Sequence, residues 1–386
     1  MLLWNNPMLR RRNSWSKGGS LPKKPGSSRI AKVDFGLLVC VGILLIFGLI
    51  MVYDAAVIQS FRDYGDKYHN IKQQLIWMVL GVFTLFFFTF FNYQYLRKLG
   101  LPMVVLALIL LLAVFIPGLG YAAGGAHRWL SIGPINVQPA EIIKLASIIF
   151  FASLFEKKVR TFPFFSLVFV VSFIVGVLQR DLGSTIVFFL TSVFIYYFAG
   201  APIKYILSLI PISIIGFLFF VLSAPYRQKR VLAFLDPFAD PQGYTYHISQ
   251  VLIAIGSGGF FGLGIGQSRQ KFEYIPEVTT DSIFAVVGEE LGFVGSVFLL
   301  SLFTYLVYKG FKIAQDCDEP FGKLLAFGLT CWLGLQTIIN LGAMVSIFPL
   351  TGVPLPFISY GGSALLANLM AVGILLNISK SNKAGQ

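Results

Sequence analysis

The sequence predicts an all-α polytopic membrane protein of about ten transmembrane helices, with a long outer loop between the seventh and the eighth. Three observations predict it. Hydrophobic residues make up 56% of the 386 and charged residues only 12%, with a mean hydropathy of +0.78. Globular domains carry about 25% charged residues, so this chain cannot clothe a soluble surface. The apolar runs approach the ~20 residues that a helix needs to cross a bilayer. Lys and Arg are also divided unequally between alternate connections, as in chains that hold one orientation in a membrane. This composition excludes a soluble enzyme, a disordered chain and a disulfide scaffold. A transmembrane β-barrel is disfavoured too, because its strands would read as short alternating segments.

In order, residues 1–34 form a basic, flexible tail with Arg10, Arg11, Arg12, Lys17, Lys23, Lys24, Arg29 and Lys32. The first apolar run follows without a plain cleavage site and is read as a span, not a signal peptide. Candidate spans cover 35–57, 75–91, 101–116, 142–155, 162–178, 185–198, 205–222, 283–308, 324–344 and 364–378. With the N-terminus in the cytoplasm, nineteen Lys and Arg fall inside, ten fall outside, and Lys144 lies within a span. Both termini, including the tail at 381–386, are therefore expected in the cytoplasm. The outer loop at 223–281 is long for a connector, and long ordered loops usually carry function. Residues 244–256 read as an amphipathic helix along the membrane surface, followed by a flexible glycine-rich turn. The net charge of +13 lies in short segments between apolar runs, which does not fit nucleic-acid binding. Cys40, Cys317 and Cys331 are scattered, and the histidines form no cluster, so neither a disulfide nor a zinc site is expected.

The residues worth weighing are those that a membrane makes costly. Glu141 and Lys144 sit one turn apart after Gln138 and Pro139, either as a structural ion pair or lining a polar cavity. Gln179, Arg180 and Asp181 read as an interfacial clasp. Glu289 and Glu290 point about 100° apart on a helix, so at least one must face protein or water. Asp281 ends the long loop where an apolar helix begins. It is either a helix cap or a carboxylate held at the membrane surface among cations. Those cations are Arg227, Lys229, Arg230 and Lys271, with Arg128 on another outer loop; they either bind a phosphate or snorkel to headgroups. The last outer loop, 348–363, has no charge and is rich in Pro and Gly. Irregular backbone at that depth must be buried in protein or line a cavity, with Ser359 and Ser363 as donors.

Taken in order, several segments are similar to those of the SEDS family (shape, elongation, division and sporulation), which includes FtsW, RodA and SpoVE. They include Ala126-His127-Arg128-Trp129-Leu130, Gln138-Pro139-Ala140-Glu141, Gln179-Arg180-Asp181-Leu182-Gly183 and Pro276-Glu277 with Thr280-Asp281. Gly288-Glu289-Glu290-Leu291-Gly292 and Pro354-Leu355-Pro356-Phe357-Ile358-Ser359-Tyr360-Gly361-Gly362-Ser363 complete the pattern over about residues 33–380. Within the family the chain most resembles FtsW. Its Gly264–Lys271 segment is compact, and Gly288 precedes the Glu pair. Departures are visible. The family commonly has His-Thr-Asp-Phe where this chain has Thr279-Thr280-Asp281-Ser282, and a family Ser is Asp54 here.

The resemblance implies ten transmembrane helices in the bacterial cytoplasmic membrane and glycan-strand polymerisation from lipid II. Transfer would be inverting and would release undecaprenyl pyrophosphate. Asp281 is implied as general base, with Glu277, Ser359 and Ser363 at the substrate alongside the cations. An Asp at its ordinary value of ~3.9 would be ionised but a weak base. Partners implied are a class B penicillin-binding protein transpeptidase and other divisome or elongasome membrane proteins. No cofactor is assigned. A divalent cation is compatible with the chemistry, although the sequence shows no closed metal site. Two other readings stand beside this one: a flippase for lipid-linked precursors, and a non-catalytic scaffold that recruits a transpeptidase.

Overall fold

The computed structural model describes residues 33–123, 126–133, 135–222, 225–269 and 275–384. Most of the basic tail, Lys271 and the last two residues lie outside that set. Helix α1 (Phe35–Tyr64) starts at Asp34, whose carboxylate accepts the Leu37 N–H at 3.0 Å. It is followed by α2 (His69–Phe90) and α3 (Leu96–Ala113), then by three short antiparallel strands. These are β1 (Gly120–Ala123), β2 (Ala126–Ile132) and β3 (Ile135–Val137). Next come α4 (Pro139–Phe155), α5 (Thr161–Ser172, continuing through a π-helical turn to Leu178), α6 (Leu182–Phe198) and α7 (Ile203–Leu222). The long loop contains α8 (Pro225–Leu235) and α9 (Tyr246–Ser257). The chain closes with α10 (Ile283–Gln315), α11 (Pro320–Met344) and α12 (Gly362–Ala384).

Ten of these helices overlap the ten expected spans. Seven helices among the described residues are long and apolar enough to cross a bilayer; α6 is shorter. Helices α11 and α12 form the centre: 78% and 83% of their apolar windows are buried, against 22% for α2. At one end, Lys309 pairs with Asp34 at 3.1 Å and Arg97 with Glu156 at 2.8 Å. All four residues belong to the connections assigned to the inner side.

Three expectations are corrected. The outer connection before α4, read only as a loop carrying Arg128, is a small sheet in which β2 pairs antiparallel with β1 and with β3. The cations Arg227, Lys229 and Arg230 ride on a helix, α8, not on irregular loop. The glycine-rich turn after α9 is fixed in place. Leu263 and Gly264 donate their N–H groups to the Glu289 and Glu290 carbonyls, at 3.0 and 2.9 Å. Gly262 and Gly292, both at positive φ, let the two backbones touch where α10 kinks. Helix α9 forms as expected, but its Ile248, Val251 and Ala254 face is buried against α10.

The segment from Thr351 to Gly361 is irregular and mostly buried. Its backbone groups have little water to turn to, so side chains of the spans must supply partners. Gln336 Nε2 donates to the Pro354 carbonyl at 3.0 Å, and Gln74 Nε2 to the Ser359 carbonyl at 3.5 Å. Gln336 is itself fixed, because its Oε1 accepts from Lys144 Nζ at 3.0 Å and from the Trp332 indole at 2.9 Å. Lys144 in turn pairs with Glu141 at 2.8 Å, and both are buried. The Glu141–Lys144 pair is therefore structural: it anchors the glutamine that holds the loop. On the other side, the loop lies on Gly48 of α1, where a Cβ would run into the Phe357 carbonyl.

Two outcomes follow. Gly48→Val should abolish accumulation of folded protein, whereas Gly42→Ala, which meets nothing within 4 Å, should be neutral. Size-exclusion profiles of the two variants in detergent check this. Lys144→Met should destabilise by about 3–5 kcal/mol by stranding a buried charge, and adding Glu141→Gln should restore much of it. Thermal unfolding of the single and double variants is the measurement. A single variant as stable as the parent would mean that the pair is not structural.

Candidate active site

Asp281 lies at the hinge between a tight turn, 275–282, and the start of α10. Capping does not account for it. Ser282 is the N-cap residue of α10, and Thr280 is spent on its own turn. Thr280 Oγ1 donates to Glu277 Oε2 at 2.9 Å and to Asp281 Oδ1 at 3.4 Å. The turn is tied to the buried loop at two points. Asn340 of α11 uses both amide protons, one on the Asp281 carbonyl and one on the Val353 carbonyl, each at 2.8 Å. The Tyr360 N–H donates to the Thr279 carbonyl at 2.8 Å. The loop then passes close to the carboxylate: a Cβ on Gly352 would sit 3.8 Å from Asp281 Oδ2.

The electrostatics revise the expectation of an ordinary aspartate. Burial, reinforced by the nearby Glu277 carboxylate, pushes Asp281 up from its usual range to about 7, while Arg230 and the Thr280 hydroxyl pull it down. The group therefore shares its proton near neutrality. Arg230 reaches the same region, donating to the Leu350 carbonyl at 3.4 Å. It also lines a cavity of about 100 Å³ with Tyr244, His247, Ser346 and Phe348. His247, from α9, lies 2.7 Å from the Ser282 hydroxyl. Burial and Arg230 push its pKa down to about 4, so the ring is neutral.

The other expected site residues are distributed as follows. Glu277 is exposed on the Asp281 turn, with its backbone at positive φ. On α8, Lys229 is exposed and Arg227 is buried; Lys271 lies outside the described residues. Arg128 joins a different group, donating to the Arg180 carbonyl at 2.6 Å and lying 3.9 Å from Asp181. Asp181 also accepts from Gln138 Nε2 at 3.1 Å and caps α6 through the Ser184 N–H, while Gln179 Nε2 donates to the Leu111 carbonyl. Arg128, Gln138 and Asp181 thus link the outer ends of β2, α4 and α6. Ser359 and Ser363 do not present free hydroxyls to a substrate as expected. Both are buried and accept backbone N–H groups, from Leu355 at 2.8 Å and Gln138 at 3.2 Å. Glu289 and Glu290 both face protein, accepting the N–H groups of Arg269 and Ser268 at 2.9 and 3.0 Å.

Sequence reading missed Asn340, Gln336 and His247. A signal for the first two was present: two amides four residues apart in an apolar span lie on one face and need partners. Among the described residues no three His, Cys, Asp or Glu side chains converge as metal ligands.

The chain is similar to known proteins in sequence and in fold. Residues 35–384 match the FtsW/RodA/SpoVE model, described as cell cycle protein. The chain is 39% identical over 357 residues to stage V sporulation protein E of Bacillus subtilis, covering 91% of this chain and 98% of that one. It is 37% identical over 361 residues to the probable peptidoglycan glycosyltransferase FtsW of Geobacter metallireducens, covering 92% and 96%. Its fold matches a chain of a peptidoglycan synthase complex with a TM-score of 0.74 at 27% identity, covering 91% and 98%. It matches RodA of Thermus thermophilus with a TM-score of 0.65 at 26% identity, covering 91% and 97%. Alike in sequence and in fold from the first turn of α1 to the end of α12, this integral membrane protein belongs to the FtsW/RodA/SpoVE family.

Proposed function

We propose that this protein is a peptidoglycan glycosyltransferase that polymerises lipid II, serving division as FtsW does or elongation as RodA does. The observation that carries the reading is the buried Asp281, held by two protein tethers beside Arg230 at the end of the bundle opposite the Asp34–Lys309 pair. With the termini in the cytoplasm, that end faces outward in the bacterial inner membrane, where a lipid-linked disaccharide would be met. The acceptor 4-hydroxyl attacks the donor anomeric carbon and passes its proton to Asp281. The new C–O bond forms as the bond to undecaprenyl pyrophosphate breaks with inversion. A base with a pKa near the working pH is the effective kind, and such a group typically contributes about 10²–10⁴-fold. Arg230 and Lys229 offset charge that develops on the leaving pyrophosphate. The solved relative in a peptidoglycan synthase complex supports a transpeptidase partner of the penicillin-binding class.

The flippase reading needs a polar path. Its candidate residues Glu141, Lys144, Glu289 and Glu290 are instead buried and bonded to protein in two separate groups. A scaffold that only recruits a partner has no use for a carboxylate kept in a destabilising site.

Asp281→Asn keeps the shape and removes the base. Its polymerisation rate on lipid II should fall about 10²-fold or more with membrane levels unchanged. A near-parental rate would overturn the assignment. The pH profile gives a signed test. Activity should rise as pH passes through about 7, where Asp281 loses its proton. Arg230 lowers the Asp281 pKa and Glu277 raises it, so Arg230→Ala should move that limb to higher pH and Glu277→Gln to lower pH. Stability has its own sign. A folded-state pKa raised above the unfolded value favours the fold below the unfolded value of 3.8, an advantage lost as pH rises through about 7. Asp281→Asn should therefore raise the midpoint of thermal unfolding at pH 8 more than at pH 4.

A further inference from the structure

We infer that His247 and Ser282 are a positioning pair that sets the aim of Asp281. This rests on Asp281 as the base and names what holds it. A serine at a helix N-cap ordinarily turns its oxygen onto the N–H of the second or third residue of its own helix. Ser282 occupies the N-cap of α10 and makes no such bond. Its hydroxyl lies instead 2.7 Å from His247 Nε2, thirty-five residues earlier in the chain. A group that local structure would use for capping is thus committed to a tertiary link beside the reacting carboxylate.

The link is built to hold still. Ser282 is wholly buried, and His247 rises from α9, whose apolar face is locked onto α10. On the other side, Asn340 holds the Asp281 carbonyl at 2.8 Å. The base therefore lies between a clamp on its own carbonyl and a clamp on the next side chain. His247 also borders a small cavity shared with Arg230, Tyr244 and Ser346, so its ring has space beside it and the bond to Ser282 is what fixes its position. The half-buried ring, neutral beside Arg230, adds no charge that would lower the basicity of Asp281.

Four full-length variants test this by initial rates of glycan polymerisation over a range of lipid II concentration. His247→Phe fills the volume without the bond. Its kcat should fall about tenfold while KM changes less than about twofold, because a small misplacement costs turnover more than binding. His247→Gln places an amide near the same point and should recover to within about threefold of the parent. Ser282→Ala should match His247→Phe, and it keeps the test available if the bulkier variant does not accumulate. The double variant His247→Phe with Ser282→Ala should be no worse than either single one, since both remove the same interaction. Parental kcat in His247→Phe or Ser282→Ala, or additive losses in the double variant, would overturn the pair. A His247→Gln variant as impaired as His247→Phe would also overturn it, pointing to proton chemistry at the ring. Asp281→Asn measured alongside separates the two ideas. If it is active, the base reading fails. If it is inactive while the His247 variants are normal, only the positioning role fails.

Discussion

Irregular backbone buried at the centre of a membrane bundle must find every hydrogen-bond partner within the protein. The segment from Thr351 to Gly361 sets that requirement, and the surrounding helices are arranged to meet it. Gln336 and Asn340, one turn apart on α11, donate to the carbonyls of Pro354 and Val353. Ser359 accepts the Leu355 N–H within the loop itself. Each amide left unpartnered would cost about 1–3 kcal/mol, enough together to cancel much of a typical domain's stability. Even the one buried ion pair of α4 serves this end, through Gln336.

Catalytic geometry follows from the same requirement. Asn340 has two amide protons. One holds the loop and the other holds the Asp281 carbonyl, so fixing the loop fixes the base. The carboxylate reaches out from a backbone that cannot drift, into surroundings dry enough to raise its pKa to about 7. Its environment is costly for a charged group, and Glu277 makes it more so. A carboxylate maintained in such a place, with a cation within range to moderate it, has the character of a working acid–base group. Glu289 and Glu290 show the contrast: equally buried, they hold the backbone of the Ser268–Arg269 turn and so serve the fold.

Much of this was legible in the sequence. Apolar run length located the helices, and the alternation of connections put Asp34 and Lys309 at one end of the bundle, where they pair. Asp281 stood out because it ends the long loop among outer cations, and the pattern of surrounding motifs resembled one family. Three things were hidden. The sheet at 120–137 is built from strands too short to show a period. Asn340 and Gln336 carry no charge, so a search for costly charges passed over them, although buried amides need partners as surely. His247 reaches Ser282 only because α9 folds back on α10, and contacts across thirty-five residues have no local signature. The raised pKa of Asp281 was likewise beyond reach, since it depends on which neighbours exclude water.

Asn340 bears directly on the whole arrangement, because it joins the Val353 carbonyl of the loop to the carbonyl of the base itself. The measurement is the polymerisation rate on lipid II per folded molecule of Asn340→Leu, a variant of similar size that cannot donate. Both carbonyls then lose their partner, and the carboxylate loses its aim. The rate should fall about tenfold or more with little change in KM. Folded Asn340→Leu that polymerises at the parental rate would contradict the view that the loop's hydrogen bonding positions Asp281.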